Sequence, residues 1–250
     1  KTTLTALMAR IYASQGLSVI AVDADPAASL GFALGLPAEL QAKVTPISEM
    51  GELIEERTGA IPGSYGTYFK INPRVDDIPE RFSVVHQGVR LLRLGTISRG
   101  GSGCICPESA MVKALVTFLI LQNDEQLLID MDAGLENLGR ATASAVDHFI
   151  IVVEPGKRSL ETAHQIAKLA NDIGIKSIYL VANKVRGEED RQFIYQNARE
   201  LPVLGFLPFS SDAIKADQDM VSVYDVAPQL VEEVKAIIAK LESEKQNSSG

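Results

Sequence analysis

Short apolar runs alternate with helical segments along this chain, and that alternation is what most constrains its fold. Apolar runs of strand length recur at Ser18–Val22, Gln126–Met131, His148–Val153, Ser177–Ala182 and Val203–Leu207. Helical apolar spacing occupies Thr2–Gln15, Pro107–Gln122, Asn137–Val146, Ser159–Ile173 and Arg191–Arg199. Uniformly apolar runs are typical of buried parallel strands, and helices connect such strands. The sequence therefore predicts an α/β fold, a doubly wound and mostly parallel sheet with helices on both faces.

One stretch, at about 44–80, departs from this alternation. It is rich in proline and glycine, with prolines at Pro46, Pro62, Pro73 and Pro79. These residues predict an insertion of short helices and loops. Beyond it, Phe82–His86 and Val89–Gly95 are predicted strands that turn near Gln87-Gly88, and Ala227–Lys245 is the last predicted helix. Because no linker separates two halves, we predict that residues 1–250 form a single domain.

The charge of the chain limits its partners. The formal net charge is −8, and no run of Lys and Arg occurs. This balance argues against nucleic acid as a partner. No apolar run reaches the roughly 18 residues of a membrane span, and no signal peptide is visible. We therefore expect a cytoplasmic protein with neither a membrane nor a nucleic-acid partner.

The chain opens with Lys1-Thr2-Thr3, directly before the first predicted helix. A phosphate-binding loop of the form G-x-x-x-x-G-K-[ST] ends in the same way, where backbone N–H groups cradle the phosphates and the lysine reaches them. Because the chain does not begin with methionine, we expect the glycine-rich turn and its strand to precede Lys1 in the gene product. The alternative is a helix that merely starts with polar residues.

Polar side chains follow the predicted strands where ligands bind in parallel sheets. Asp23 and Asp25 follow the first apolar run, and Asp130 ends the second. An apolar run that closes in aspartate is typical of the Walker B segment, which holds Mg²⁺. Asn183 follows a third run, where an amide can contact a base edge. The structural alternatives are a helix cap for Asp23 and a turn former for Asp132.

These motifs, in this order, resemble the MinD/ParA/nitrogenase iron-protein group of P-loop ATPases. The resemblance implies ATP or ADP with Mg²⁺ as cofactors. It implies that Lys1 holds the phosphates, with Thr2 on Mg²⁺ and Thr3 beside them. It further implies that Asp25 orients the attacking water, Asp23 lies near the Mg²⁺ shell and Asp130 is the Walker B carboxylate. It places Asn183 against adenine, with the Leu207-Pro208 loop packed on the ring, whereas Lys184 is expected to be an exposed lysine.

The two cysteines, Cys104 and Cys106, stand one residue apart after a glycine-rich stretch and before Pro107. Proline suits the first position of a helix, and a helix N-terminus favours the thiolate form of cysteine. Thiolates favour Zn²⁺, Ni²⁺ or Cu⁺ over Mg²⁺. Two sulfurs supply half of a closed site of about four ligands, which a symmetric dimer would complete. The alternative is a pair of partly buried cysteines with no chemical role.

Within the ATPase group, the stretch G-x-C-x-C-P-E-x-A resembles the CooC-type accessory proteins that insert nickel into carbon monoxide dehydrogenase. The segment Asp130–Arg140 is also similar to that family's D-M-x-A-G-x-E-H-L-x-R, although Asn137 stands where the family usually has histidine. The resemblance implies a homodimeric ATPase that loads nickel into a client enzyme, with Ni²⁺ or Zn²⁺ on Cys104 and Cys106.

Two other functions fit parts of the sequence. A MinD/ParA-type positioning ATPase would have no metal role, but its membrane form should end in a basic amphipathic helix. Here 230–245 mixes glutamates with lysines. An iron–sulfur reductase component would carry single cysteines on separate segments rather than a Cys-x-Cys pair.

Overall fold

The computed structural model describes residues 1–64, 67–95, 106–122, 125–132 and 140–248. These residues form α-helices and strands, with a 3₁₀ turn at Ile47–Glu49. The strands are β1 Val19–Asp23, β2 Val84–His86, β3 Val89–Arg93, β4 Gln126–Asp130, β5 Phe149–Val153, β6 Ile178–Val185 and β7 Val203–Pro208. The helices are α1 Thr2–Ser14, α2 Leu30–Ala33, α3 Ala38–Gln41, α4 Gly51–Thr58, α5 Ile78–Phe82, α6 Pro107–Gln122, α7 Arg140–Ala143, α8 Lys157–Ile173, α9 Glu188–Asn197, α10 Ser211–Asp219, α11 Val223–Val226 and α12 Pro228–Ser248.

The chain divides into two compact units. The first unit comprises Lys1–Ile11, Phe32–Gly35 and Gly139–Gly250, and the second comprises Tyr12–Gly31 and Leu36–Leu138. The expectation of a single domain over residues 1–250 stays a prediction.

A four-stranded sheet in the order β2-β3-β1-β4 forms the second unit. The strand β1 is buried along its whole length and pairs in parallel with β3 on one side and β4 on the other. The hairpin of β2 and β3 is antiparallel, and its turn residues Gln87 and Gly88 have φ of 47° and 80°. Two positive φ angles are the geometry of a type I′ hairpin turn. The hairpin predicted near Gln87-Gly88 is therefore confirmed.

A three-stranded parallel sheet in the order β5-β6-β7 belongs to the first unit. Helix α12 packs closely on β7 at Gly205. A Cβ atom at this position of β7 would lie only 2.6 Å from Cγ1 of Ile237 in α12, so only glycine leaves enough room. Helix α8 presents Leu160, Ala163, Ala167 and Ala170 as buried residues at helical spacing. Amphipathic helices on parallel strands confirm the predicted α/β class.

The predicted elements agree with the structure to within a few residues, with two exceptions. Strand β6 continues through Val185, beyond the predicted end at Ala182. The helix predicted at Asn137–Val146 is seen as α7, which ends at Ala143, three residues before the predicted end, while 133–139 lie outside the described residues. The stretch 44–80 holds the 3₁₀ turn, α4 and the start of α5, joined by loops. None of the helices in the described ranges combines the length and apolarity that a membrane crossing requires.

The left-handed glycine at Gly35 gives a stability test. Gly35 has φ of +70°, and a Cβ there would lie 2.5 Å from the backbone nitrogen of Ser222. Gly35→Ala should therefore cost about 1–2 kcal/mol for the left-handed backbone and about 1–3 kcal/mol more for the clash. The matched control is Gly59→Ala, where φ is +82° but a Cβ would meet no described atom within 4 Å. Urea unfolding should show a clearly larger loss for Gly35→Ala, and equal losses would contradict the packing described here.

Candidate functional site

The residues Lys1 and Thr2 lie at the start of α1, in the first unit. Lys1 is exposed, and its carbonyl oxygen accepts the backbone N–H of Thr5 at 3.1 Å. Lys1 therefore occupies the N-cap position, and Thr2 and Thr3, both half-buried, form the first helical turn. This agrees with the predicted position of the Lys-Thr-Thr motif at a helix N-terminus.

Two aspartates lie side by side at the carboxyl end of the sheet in the second unit. Asp23 ends β1 and is directly paired with Asp130, which ends β4, in the parallel register. Their exposed fractions are 3% and 1%. Buried neighbouring carboxylates are costly unless a cation or hydrogen bonds compensate them. Oxygen donors of this kind suit Mg²⁺, so this pair fits the predicted cation site.

The environment of Asp23 raises the pKa of its carboxyl from 3.8 to about 6. Burial is the largest cause, and the charge of Asp130 adds to it. Backbone N–H groups oppose the shift, since Leu30 donates to Oδ2 at 3.0 Å and Asp25 donates to Oδ1 at 3.3 Å. The charge of Arg93, its register partner on β3, also opposes it. The N–H that Leu30 donates belongs to the first residue of α2, but Asp23 itself ends β1 and is not the N-cap residue of that helix.

The loop after β1 is held by local contacts. Asp25 is half-buried, and its Oδ1 accepts the N–H of Ala27 at 2.9 Å, while its carbonyl oxygen accepts the N–H of Ala28. Ala28 has φ of 48°, in a region that is strained for any residue with a Cβ. The carboxylate of Asp25 is thus held in a tight turn two residues after Asp23. Asp132, beyond β4, is exposed.

In the first unit, Asn183 lies near the end of β6 and Pro208 ends β7, and these two strands are paired in the sheet. The register of the two strands shifts between Ala182 and Val185, which makes a bulge at Asn183 and Lys184. Lys184 has φ of 58°, and its Nζ lies 2.6 Å from Oε1 of Glu154 at the end of β5. Bulges of this kind re-aim side chains next to binding sites. Lys184 is exposed, as predicted, but the sequence did not reveal its partner.

A further aromatic residue, Phe209, follows Pro208 and was not singled out from the sequence. Its ring is 45% exposed, and the guanidinium of Arg186 lies 5.4 Å from the ring centroid. The backbone N–H of Phe209 donates to the carbonyl oxygen of Val185. The only sequence signal was an aromatic residue directly after a strand that ends in proline.

The described cysteine, Cys106, caps α6. Its Sγ accepts the backbone N–H of Ser109 at 3.4 Å, and its own N–H donates to Oγ of Ser109 at 3.2 Å. The thiol is free and half-buried. Cys104 and Asn137 lie outside the described residues. Among the residues that the structure does describe, no group of three or more His, Cys, Asp or Glu could hold a metal ion.

The fold and the polar strand ends are those of a known family of nucleotide-binding domains. Residues 1–223 match the CobQ/CobB/MinD/ParA nucleotide-binding domain. The chain belongs to the CobQ/CobB/MinD/ParA family. Membership confirms the resemblance on which the sequence predictions relied, and ATP-binding relatives support the prediction that this family member is an ATPase.

Among characterised relatives, the carbon monoxide dehydrogenase accessory protein CooC of Rhodospirillum rubrum is 47% identical over 241 residues, which cover 96% of this chain and 91% of the relative. An uncharacterised ATP-binding protein of Methanocaldococcus jannaschii is 43% identical over 220 residues, or 87% of this chain and 84% of that protein. The predicted likeness to CooC-type proteins within the CobQ/CobB/MinD/ParA family is confirmed.

Solved structures of the family share the fold. The cell division ATPase MinD of Pyrococcus furiosus has a TM-score of 0.67 at 16% identity, covering 97% of this chain and 92% of its own. A plasmid partition protein of Borrelia burgdorferi bound to AMPPNP has a TM-score of 0.67 at 12% identity, covering 97% and 93%. At such identities the likeness shows the fold alone.

Substitution of Asp23 should change how stability depends on pH. Because the folded state raises this pKa from 3.8 to about 6, the folded protein binds the proton more tightly, and the free energy of unfolding falls as pH rises through that window. The full penalty, about 3 kcal/mol, is present above pH 6. Asp23→Asn removes the buried charge, but it also removes one hydrogen-bond acceptor, which costs about 1 kcal/mol. The variant should therefore be about 2 kcal/mol more stable than the unsubstituted protein at pH 7.

Urea unfolding without nucleotide, from pH 4 to pH 7, measures this effect. The stability difference between Asp23→Asn and the unsubstituted protein should grow across this range. The control is Asp132→Asn at an exposed carboxylate near the end of the neighbouring strand, and the change of the stability difference with pH should be clearly larger for Asp23→Asn than for this control. A stability difference for Asp23→Asn that does not vary with pH would contradict the assignment.

Proposed function

We propose that this chain is an accessory ATPase that loads nickel into a client metalloenzyme of the carbon monoxide dehydrogenase type. The observation that carries the proposal is 47% identity with the CooC accessory protein over 96% of this chain. The position of the free Cys106 sulfur directly before α6 supports a metal role, because sulfur is a ligand that suits Ni²⁺ and Zn²⁺. We further propose that the protein acts in the cytoplasm as a homodimer.

The nucleotide roles follow the motifs of the family. In this proposal Lys1 holds the phosphates, Thr3 supports them, and Thr2 contacts the Mg²⁺ that accompanies ATP or ADP. Mg²⁺ would neutralise phosphate charge during transfer. Its water shell would be held by Asp23 and Asp130, whose burial side by side supports a cationic ligand.

Two further groups of residues have roles in the proposed function. Asp25 orients the attacking water, and the support for this role is its carboxylate held in a tight turn beside Asp23. Asn183 contacts adenine and Pro208 packs on the ring. The support is that both lie at the carboxyl ends of neighbouring parallel strands, where ligands bind in α/β sheets.

The cargo is proposed to be held by Cys104 and Cys106 of two chains. Each chain offers two sulfurs, and a closed thiolate site needs about four ligands. A site on a two-fold axis would therefore hold one Ni²⁺ or Zn²⁺ for every two chains. Energy from ATP hydrolysis would drive release of the metal to the client.

A positioning ATPase without a metal role is the competing function. The fold shared with MinD supports it, but only at 16% identity. Measurement of metal on the purified protein separates the two functions.

The hydrolytic role of Asp25 is tested by Asp25→Asn. The substitution should leave binding of Mg²⁺ and ATP within about threefold but slow turnover by roughly 10²-fold or more, because the water loses its orienting carboxylate. Calorimetry measures binding, and phosphate release measures turnover. Lys1→Ala is the contrasting variant and should weaken nucleotide binding itself. If Asp25→Asn keeps full turnover while Asp23→Asn is inactive, the carboxylate roles are reversed.

The shared metal site is tested by the double change Cys104→Ser with Cys106→Ser. This variant should lose stoichiometric metal while its ATP binding is retained. In the unsubstituted protein, nickel should promote dimerisation, because its binding energy is available only when both chains meet. Equilibrium dialysis and light scattering measure bound nickel and molar mass together. One metal per monomer, or metal retained by the double variant, would refute the shared site.

A further inference from the structure

An open groove lies in the second unit between the loop 71–76 and helix α6. Its volume is about 620 Å³. The wall on the loop side includes Ile71 and Val75, and the wall on the helix side includes Ala114, Phe118 and Leu121. Ile71 is 63% exposed and Leu121 is 48% exposed, so apolar side chains open directly to solvent. Large apolar groups clustered on a surface mark an interaction site.

The polar groups of the groove suit a protein segment better than a small molecule. None of the polar side chains lining it is buried, whereas small-molecule pockets hold a few buried polar groups that fix the ligand. Arg74 and Asp76 satisfy each other, since the Arg74 Nε lies 2.6 Å from Asp76 Oδ1. Lys113 is exposed and makes no ion pair within the described part of the chain. The groove therefore presents apolar surface with one uncompensated positive charge.

The helix wall of the groove begins next to the proposed metal ligand. Helix α6 begins at the residue after Cys106, and the groove residue Ala110 lies one turn further along. The backbone N–H of Ala110 donates to the Cys106 carbonyl oxygen at 3.0 Å. The backbone N–H of Gly63 also donates to Glu108 Oε1 at 2.7 Å, in the first turn of α6. A partner in the groove would thus contact the helix that begins directly after Cys106.

We propose that this groove, between 71–76 and α6, docks a segment of the client enzyme that carries apolar side chains and a carboxylate facing Lys113. The inference rests on the proposed function, because it names where that client binds. The positive charge of Lys113 favours an acidic segment of the client. Because the groove lies along the helix that begins after Cys106, a client bound there would be close to the proposed metal site. Apolar side chains seated in such a groove supply affinity, and the ion pair supplies specificity. The segment has the chemistry of an amphipathic helix laid into a groove.

Two substitutions test the groove, each with a matched control. Ile71→Asp places a charge among the apolar residues, and Lys113→Glu reverses the unpaired charge. The controls are Leu169→Asp and Lys168→Glu on the exposed face of α8, where Leu169 is 55% exposed. All four positions are on the surface, so urea unfolding should give similar stabilities. None of these residues belongs to the proposed nucleotide or metal site, so ATP hydrolysis and bound nickel should be unchanged.

The probe is nickel-free carbon monoxide dehydrogenase, titrated with each full-length variant by calorimetry. Ile71→Asp and Lys113→Glu should each raise the dissociation constant by about tenfold or more, whereas both controls should stay within about twofold. Binding of the unsubstituted protein should weaken with added salt, and that of Lys113→Glu should lose this dependence. Hydrogen exchange should slow at 71–76 and 110–121 when the enzyme is added.

Three results would overturn the inference, and they are distinguishable. If the unsubstituted protein binds the enzyme and the groove variants bind it equally well, the docking surface lies elsewhere and the proposed function stands. If the unsubstituted protein binds nickel but never this enzyme, with or without ATP, the client itself is wrong and the docking site falls with it. If the groove variants instead reduce the molar mass of the protein alone, measured by light scattering, the groove joins two copies of this chain.

Discussion

The parallel pairing of β1 with β4 is the constraint on which the proposed chemistry depends. It sets Asp23 directly opposite Asp130 at the carboxyl end of the sheet, with both side chains almost completely buried. The pairing continues beyond the strands, since the N–H of Ala24 donates to the carbonyl oxygen of Asp130 at 2.8 Å. The backbone thus holds together two carboxylates that would otherwise separate. The sheet tolerates this repulsion because the surrounding apolar core fixes the register.

Burial of Asp23 is only partly offset by the groups around it. Two backbone N–H groups and the nearby Arg93 offset part of the burial of Asp23 but leave its pKa high. A site optimised for stability alone would carry neutral residues here. Retaining the acid makes sense where a cation is bound during the working cycle, since functional sites often give up stability in this way.

Much of the fold could be predicted because apolar periodicity decides it. The buried strand β1 and helix α6 followed directly from their patterns, and the Gln87-Gly88 turn followed from turn chemistry. Strand-end aspartates were also predictable, because position at a strand end depends on local sequence. Three features could not be predicted from the sequence: the bulge at Lys184, the exposed ring of Phe209 and the hydrogen bond from Gly63 to Glu108. Each depends on residues that are distant in sequence or on backbone angles that single residue types do not specify.

The bond between Gly63 and Glu108 has an evolutionary consequence. Its donor is a backbone N–H, which nearly every residue type supplies, and its acceptor is a side chain on the helix that begins after Cys106. The side chain at position 63 can therefore change while the link survives, provided that the residue is not proline and still adopts the left-handed conformation at φ of +75°. Selection can thus alter that position without breaking the link to the helix that begins after Cys106. The side of the link that must be retained is the acceptor, because only a side chain with a suitably placed oxygen can replace Glu108.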